Sequence, residues 1–339
     1  MAELLKMLSE TNGISGNENA VRDIIIKKIK DHADEIHVDS MGNVIALKRG
    51  ADESKTFAVT ANIDEPGFIV SGITDKGYLK FKAVGTVDAR KLVSKKVVIG
   101  DDKIKGVIGM KAIHLQTRSE REKVVAVSKL FIDIGAKNKS EAEKRVRLGD
   151  YVTFDTEFTV LGDNVKGKAL DRSGACLALI KAFQKEYKYN VCACFLVQHE
   201  VGARGAKIVS HRINPDAVLT VSAADTEDMY GCDDTNSGCK LGKGVVINYS
   251  DKTVIADKTL TDKMLKAAKK AKINIQPKVM KPHSSDSGTM QTGAYGTACL
   301  NTVIPCRYSH SPVSIMSQSD ISAAADYISL FLNEIGELI

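Results

Sequence analysis

Four apolar segments of the chain are each followed by polar residues of the kinds that bind metal ions. The segments predict buried strands at 57–61, 191–197, 217–221 and 299–304. Apolar residues recur at helical spacing in other stretches, among them 174–187, 261–271 and 319–338. Strands that alternate with helices predict an α/β fold with a mostly parallel sheet flanked by helices.

The stretch from residue 67 to residue 163 has a different pattern. Short β-rich runs recur there between Gly or Asp turns, and only one helix, at about 139–147, is predicted among them. We therefore predict a small β-rich domain at 67–163, inserted into an α/β domain made of residues 1–66 and 164–339. Near the N-terminus, Ser15 lies three residues before Glu18, which is the spacing of a capping box at the start of an amphipathic helix.

Composition and charge exclude several classes of function. The net charge of +6 over 339 residues comes from bases and acids that are scattered along the chain, so no nucleic-acid partner is predicted. No apolar run approaches the ~20 residues of a membrane span, and no membrane partner is predicted. Seven cysteines without the spacing of a disulfide framework are typical of reduced thiols, which favours a cytoplasmic location.

Three strong candidate ligands follow or adjoin these apolar segments: Asp171, Glu200 and His310. In open α/β sheets the carboxyl ends of the strands border one crevice, so groups distant in sequence meet there. Each residue also has a structural interpretation, because an Asp before a helix often caps it and a His after a strand is often a hydrogen-bonded core residue. The pattern alone leaves the metal and the structural interpretations open.

Other motifs in the chain give weaker indications of function. Cys192 and Cys194 share one face of a predicted buried strand and are interpreted as core residues. The run Ser284 to Gly288 reads as a loop, and no nucleophile elbow, phosphate-binding loop or dinucleotide fingerprint occurs. A glycosidase is the weakest interpretation, because the chain has no Trp to stack on sugars.

Several stretches together resemble a known family over nearly the whole length of the chain. The most specific are Ile63-Asp-Glu-Pro-Gly67, Lys168-Ala-Leu-Asp171, Glu200-Val-Gly-Ala-Arg-Gly-Ala206 and Arg307-Tyr-Ser-His-Ser-Pro312. In their order and spacing they resemble the tetrahedral, glutamyl or deblocking metallo-aminopeptidases, relatives of which were labelled endoglucanase or cellulase. The resemblance implies a zinc-aminopeptidase-like catalytic domain that hydrolyses N-terminal residues from peptides. It also implies an inserted domain used in homo-oligomers, from dimer to dodecamer.

The resemblance further assigns roles to individual residues. Asp171, Glu200 and His310 match the ligands of one divalent ion, which is zinc or else cobalt or manganese, and Asp64 matches the Asp that orients the site. The second metal position departs from the family, since Asn62 stands where a His is usual. Thr220 stands where an Asp is usual, with Ser222 as the neighbouring alternative. His199 replaces the Glu that acts as general base, and Arg172 with Ser173 replaces an Asp-Arg pair.

These departures predict an impaired dinuclear site. Neutral amide and hydroxyl oxygens bind divalent transition metals less tightly than imidazole and carboxylate do, so we expect the second site to be lost. If a second ion does bind, Asp225 or His283 is the next candidate ligand. His199, with an ordinary pKa near ~6.5, is predicted to act as the base. The alternative is a catalytically silent paralogue that serves as a binding or assembly subunit.

Overall fold

The computed structural model of the chain describes residues 1–232, 238–279, 285–294 and 296–339. Its strands are β1 (Glu35–Val38), β2 (Val44–Lys48), β3 (Asp52–Asn62), β4 (Gly67–Ile73), β5 (Leu79–Val84), β6 (Lys96–Ile99), β7 (Ile104–Gly109), β8 (Phe131–Asp133), β9 (Tyr151–Phe154), β10 (Thr159–Leu161), β11 (Asn164–Gly167), β12 (Tyr189–Leu196), β13 (Ala217–Asp225), β14 (Val245–Asn248), β15 (Ile275–Lys278), β16 (Ala298–Arg307) and β17 (Ser314–Ser317). Its α-helices are α1 (Ala2–Glu10), α2 (Asn19–Ile29), α3 (Arg118–Arg121), α4 (Lys139–Glu143), α5 (Leu170–Phe183), α6 (Arg204–Arg212), α7 (Lys258–Lys270), α8 (Ser287–Gln291) and α9 (Gln318–Leu338). Short 3-10 helices occupy Lys30–His32, Ala89–Lys91, Ile113–Leu115 and Val127–Lys129.

A large mixed sheet forms the centre of the molecule, which confirms the predicted α/β fold. Its strand order is β1-β2-β12-β3-β13-β16-β17-β11-β10, and β14 and β15 extend from β16. The four central strands β12, β3, β13 and β16 are parallel, whereas β1, β2, β17, β11 and β10 pair antiparallel. All four predicted buried strands are therefore the parallel centre, and their carboxyl ends lie side by side.

Helices cover both faces of this sheet. On one face α5 and α9 pack on the central strands, together with α1, α2 and α7, around residues such as Phe57, Val59 and Leu219. On the other face α6 and α8 cover a smaller cluster that includes Ala58 and Val218. Successive residues of a strand point to opposite faces, so the central strands are apolar on both.

The inserted β-rich stretch is a closed barrel with strand order β4-β5-β8-β7-β6-β9. Phe68 lies at its centre and makes edge-to-face contacts with Phe81 and Phe154. Strand β10, which lies within the predicted insertion at 67–163, pairs with β11 in the large sheet. Two α-helices, α3 and α4, accompany the barrel rather than one. The division of the chain into domains at residues 66 and 163 stays a prediction.

The start of helix α5 differs from the prediction, and this changes the position of Asp171. Helix α5 begins at Leu170 rather than near Gly174, and the residue before it, Ala169, takes a left-handed conformation with φ of 48°. Asp171 consequently lies in the first turn of α5. Among the described residues, no helix is long and apolar enough to cross a membrane.

Candidate metal centre

Asp171, Glu200 and His310 come together at the carboxyl end of the central strands. Asp171 lies in the first turn of α5, Glu200 in the turn that follows β12, and His310 in the turn between β16 and β17. Their ligand atoms all lie within 4.8 Å of one another. The Nε2 atom of His310 is 3.5 Å from Oε1 of Glu200 and 3.9 Å from Oδ2 of Asp171.

This donor set fits a divalent metal ion. Two ligand atoms bound tetrahedrally at ~2.1 Å lie ~3.4 Å apart, which is close to the separations found here. Two carboxylates and one imidazole are the donors that zinc and similar ions prefer. The Glu200 side chain is only 5% exposed. Burial raises the pKa of Glu200 to about 7, although His310 and His199 oppose that rise. A cation at this position would favour the ionised carboxylate.

The three ligand-bearing turns share an unusual backbone conformation. Ala169, Gln198, Tyr308 and His310 all have positive φ, between 48° and 60°. They make up half of the eight non-glycine residues with positive φ in the described part of the chain. A left-handed residue other than Gly costs roughly 1–3 kcal/mol and persists only where surrounding structure fixes it, often at functional sites. Each ligand therefore lies on or beside a strained, fixed turn.

Asp64 is buried beneath the Glu200 turn and acts on its backbone. Its Oδ1 accepts a hydrogen bond from the His199 N–H at 3.0 Å, and its Oδ2 accepts one from the Glu200 N–H at 3.0 Å. The Ser15 hydroxyl donates to the same Oδ2 at 2.6 Å. Both carboxylate oxygens are thus occupied, and Asp64 is a positioning residue for the turn that carries Glu200.

The predicted capping box at Ser15 and Glu18 is wrong. Helix α2 has Glu18 at its N-cap without a side-chain cap. Ser15 donates to Asp64 instead, and Oε1 of Glu18 accepts from the N–H of Gln198 at 3.1 Å. Both side chains turn toward the buried strand end because Asp64 and the left-handed Gln198 need partners there.

His199 has a buried partner that the sequence did not reveal. Its Nδ1 lies 2.9 Å from Oδ1 of Asp286, which is only 3% exposed and precedes α8. Burial acts to lower the pKa of His199, but the Asp286 carboxylate, with help from Asp64 and Glu200, raises it to about 10. The expected ordinary pKa is therefore wrong for the protein without metal. The sequence predicts a loop at Asp286, and only the tertiary structure brings this residue to His199.

The second metal position contains few charged groups. Nδ2 of Asn62 donates to the backbone oxygen of Asp64 at 3.3 Å. Thr220 is 1% exposed, and its hydroxyl accepts from that of Thr60 at 3.2 Å. Val221 pairs with Ala61, so the register places Ser222 rather than Thr220 beside Asn62. The Ser222 side chain is also buried. Within the described residues, the set of Asp171, Glu200 and His310 is the one group of three or more potential ligands.

The substitute ligand Asp225 is engaged elsewhere in the structure. Asp225 uses Oδ1 to accept from the Ser309 N–H at 2.7 Å, while Asp228 forms a two-point ion pair with Arg307. Both carboxylates thereby hold the turn that carries His310. His283 lies outside the described residues.

Arg172, the residue that follows Asp171, is fully buried. Its Nη2 lies 3.2 Å from Oε1 of Glu65, and Nζ of Lys168 lies 2.6 Å from the same oxygen. The pKa of Glu65 is lowered because the two cations outweigh the effect of burial. Arg172 also donates to the Thr11 carbonyl at 2.8 Å. This buried ion network anchors the start of α5, and with it Asp171.

Comparisons with known proteins agree on one family. Residues 42–327 match the family model described as M42 glutamyl aminopeptidase. The chain is 36% identical to a protein named putative aminopeptidase from Acetivibrio thermocellus, over 96% of both chains. Its structure resembles an aminopeptidase from Desulfurococcus kamchatkensis with a TM-score of 0.94, at 31% identity over 98% of this chain and 94% of the other. It also resembles the TET1 peptidase of Pyrococcus horikoshii, which can assemble into a tetrahedron or a large octahedral shell. That match has a TM-score of 0.86, at 32% identity over 98% and 99% of the two chains.

Proposed function

Because the chain belongs to the M42 glutamyl aminopeptidase family, we propose that it is a metallo-aminopeptidase that uses one firmly bound divalent ion instead of two. The observation that carries this proposal is the convergence of Asp171, Glu200 and His310 within 4.8 Å of one another. The second position contrasts with it, because Asn62 and either Thr220 or Ser222 offer only neutral oxygens. Zinc suits this donor set, with cobalt or manganese as alternatives.

Each residue has a defined part in this proposal. The bound ion would polarise the peptide carbonyl and make the attacking water more acidic. Asp64 accepts hydrogen bonds from two backbone N–H groups of the Glu200 turn and would keep the ligand in place. His199 takes the place of the general base. Its Nδ1 is engaged by Asp286, which leaves Nε2 to accept and release a proton. Nearby positive charge from the ion would lower the pKa of His199 from its value without metal.

The second candidate is a catalytically silent subunit that binds or assembles without hydrolysis. The His199–Asp286 contact supports it, because a protonated imidazole has no free lone pair with which to act as a base. A single ion must also do the work that usually falls to two. We therefore expect peptide hydrolysis in the wild type to be weak.

Assembly and location complete the proposal. The TET1 peptidase, at 32% identity, suggests that this chain also forms a homo-oligomer, with the barrel as the contact domain. All seven cysteines are free, which is consistent with the reducing conditions of the cytoplasm. Light scattering on the purified protein would give the assembly size.

The test of the proposed function is metal content followed by activity. Protein purified without chelator is expected to contain about one divalent ion per chain. It should then release N-terminal residues from aminoacyl substrates more rapidly with zinc, cobalt or manganese than with chelator. Cellulosic substrates serve as the negative control, and no hydrolysis of them is expected. One ion per chain without any hydrolysis favours the silent subunit, and absence of bound metal contradicts the proposal.

A further inference from the structure

The β-barrel reaches the metal centre through a single glycine. Gly85 follows β5 and has a positive φ of 80°. A Cβ atom at this position would lie 2.9 Å from Cβ of Glu200, 3.3 Å from its Oε2 and 3.2 Å from Cβ of Pro66. Only a glycine permits the backbone of the barrel to approach the Glu200 side chain this closely.

We propose that Gly85 is a positioning residue of the metal centre: the barrel backbone at this glycine forms the wall that fixes the Glu200 carboxylate. This inference rests on the proposed function, since it takes Glu200 as a metal ligand. It adds that metal affinity depends on how the barrel docks on the α/β sheet. The barrel is then part of the site as well as a contact domain.

Glu200 has little freedom to move away from this wall. Its side chain is 5% exposed, and its backbone N–H donates a hydrogen bond to Asp64. The shortest approach to Gly85 is at Cβ, which cannot rotate away as the end of a long side chain can. A methyl group at residue 85 must therefore displace either the Glu200 turn or the barrel loop.

Two further features place the barrel next to the metal centre. Pro66 follows Asp64 and Glu65 directly and leads into β4, so the chain passes from the site into the barrel within two residues. Phe154, at the end of β9, lines a small cavity together with Asp171 and His310. The barrel thus borders all three ligands of the candidate centre.

A matched pair of glycine substitutions tests the proposal. Gly85→Ala adds the methyl group against Glu200, whereas Gly135→Ala adds one in the turn after β8, where φ is 73° and no atom lies within 4 Å. Both variants carry comparable backbone strain in the barrel, but only the first disturbs a metal ligand. Calorimetric titration of zinc into metal-free protein measures the dissociation constant. We expect Gly85→Ala to raise it about 10-fold or more, as displaced supports of metal ligands do. Gly135→Ala should stay within about 3-fold of wild type.

The outcomes separate this inference from the proposed function. Wild type that binds no zinc would contradict the proposed function itself. Wild type that binds zinc, with the same affinity in both glycine variants, would overturn only the positioning role of Gly85. If Gly85→Ala does not fold, hydrogen exchange on the wild type decides. Zinc should then slow exchange in a peptide spanning 84–88 but not in one spanning 133–137, and equal exchange with and without zinc at 84–88 would overturn the inference.

Discussion

Replacing Asp64 by Asn is the most direct test of how the Glu200 turn is held. The substitution keeps the shape of the side chain but turns one acceptor oxygen into an NH₂ donor. Asp64 now accepts from two backbone N–H groups, those of His199 and Glu200, and from the Ser15 hydroxyl. The hydroxyl can rotate and accept from the new amide, whereas the N–H groups cannot turn away. Whichever way the amide is oriented, one backbone N–H loses its acceptor.

The expected loss of stability follows from the number of N–H groups left without an acceptor. One buried N–H without an acceptor costs about 1–3 kcal/mol of stability. Asp64 is 1% exposed, so water does not readily replace the lost partner. Ser15→Ala is the matched control, because it removes the third hydrogen bond and leaves both N–H groups satisfied. Its expected cost is about 0.5–1.5 kcal/mol.

Two measurements on each variant separate folding from positioning. Urea unfolding with chelator gives the stability of the metal-free protein, and zinc titration gives the dissociation constant. We expect Asp64→Asn to weaken zinc binding about 10-fold or more, because the Glu200 backbone is released. Ser15→Ala should change zinc binding much less. If Ser15→Ala weakens zinc binding as much as Asp64→Asn does, or if Asp64→Asn leaves both quantities unchanged, the positioning role of Asp64 is wrong.

Three further predictions concern the metal, the activity and the buried ion network. His310→Ala should reduce bound zinc, measured by elemental analysis, from about one ion per chain to nearly none. His211→Ala, at an exposed histidine, should leave the zinc content unchanged. If the His310→Ala variant retains its zinc, His310 is not a ligand. Restoring all the changed positions together should raise the rate of peptide hydrolysis above that of a weakly active wild type. Each single change should raise it little, because residues that act as a unit are not additive. A wild-type rate near ~10 s⁻¹ would contradict the proposal of an impaired site. The restoring changes are Asn62→His, His199→Glu and Thr220→Asp. Glu65→Gln should cost about 3–5 kcal/mol in urea unfolding, since it leaves two buried cations unpaired. Glu186→Gln, at the 87% exposed partner of Lys48, should cost less than about 1 kcal/mol, and similar values for the two would refute the argument.

Sequence patterns predicted well the features that depend on neighbouring residues. The four apolar segments form the parallel centre of the sheet because two-sided burial demands continuous apolar runs. Parallel strands in turn bring their carboxyl ends to one edge, which is why Asp171, Glu200 and His310 meet although 139 positions separate the first from the last. The start of α5 was predicted too late, because a left-handed Ala169 has no sequence signature.

Contacts between distant segments were beyond the sequence. Asp286 lies 87 positions from His199, and nothing in its Ser-rich surroundings indicates that it is buried against an imidazole. Ser15 and Glu18 match a local capping motif, yet neither side chain caps the helix. Ser15 donates a hydrogen bond to the buried Asp64 carboxylate, and Glu18 accepts one from the backbone of Gln198. Gly85 reads as an ordinary turn residue, and its role depends on the docking of the barrel on the sheet.

Two of the residues that depart from the family pattern have buried polar partners. Relative to the resemblance drawn from sequence, Thr220 replaces a carboxylate at the second position and His199 replaces a carboxylate at the base. An unpaired buried carboxylate costs several kcal/mol, and Thr220 avoids this cost by sharing a neutral hydrogen bond with Thr60. His199 likewise finds a buried carboxylate of its own in Asp286. These two contacts are consistent with the proposed retention of a single ion.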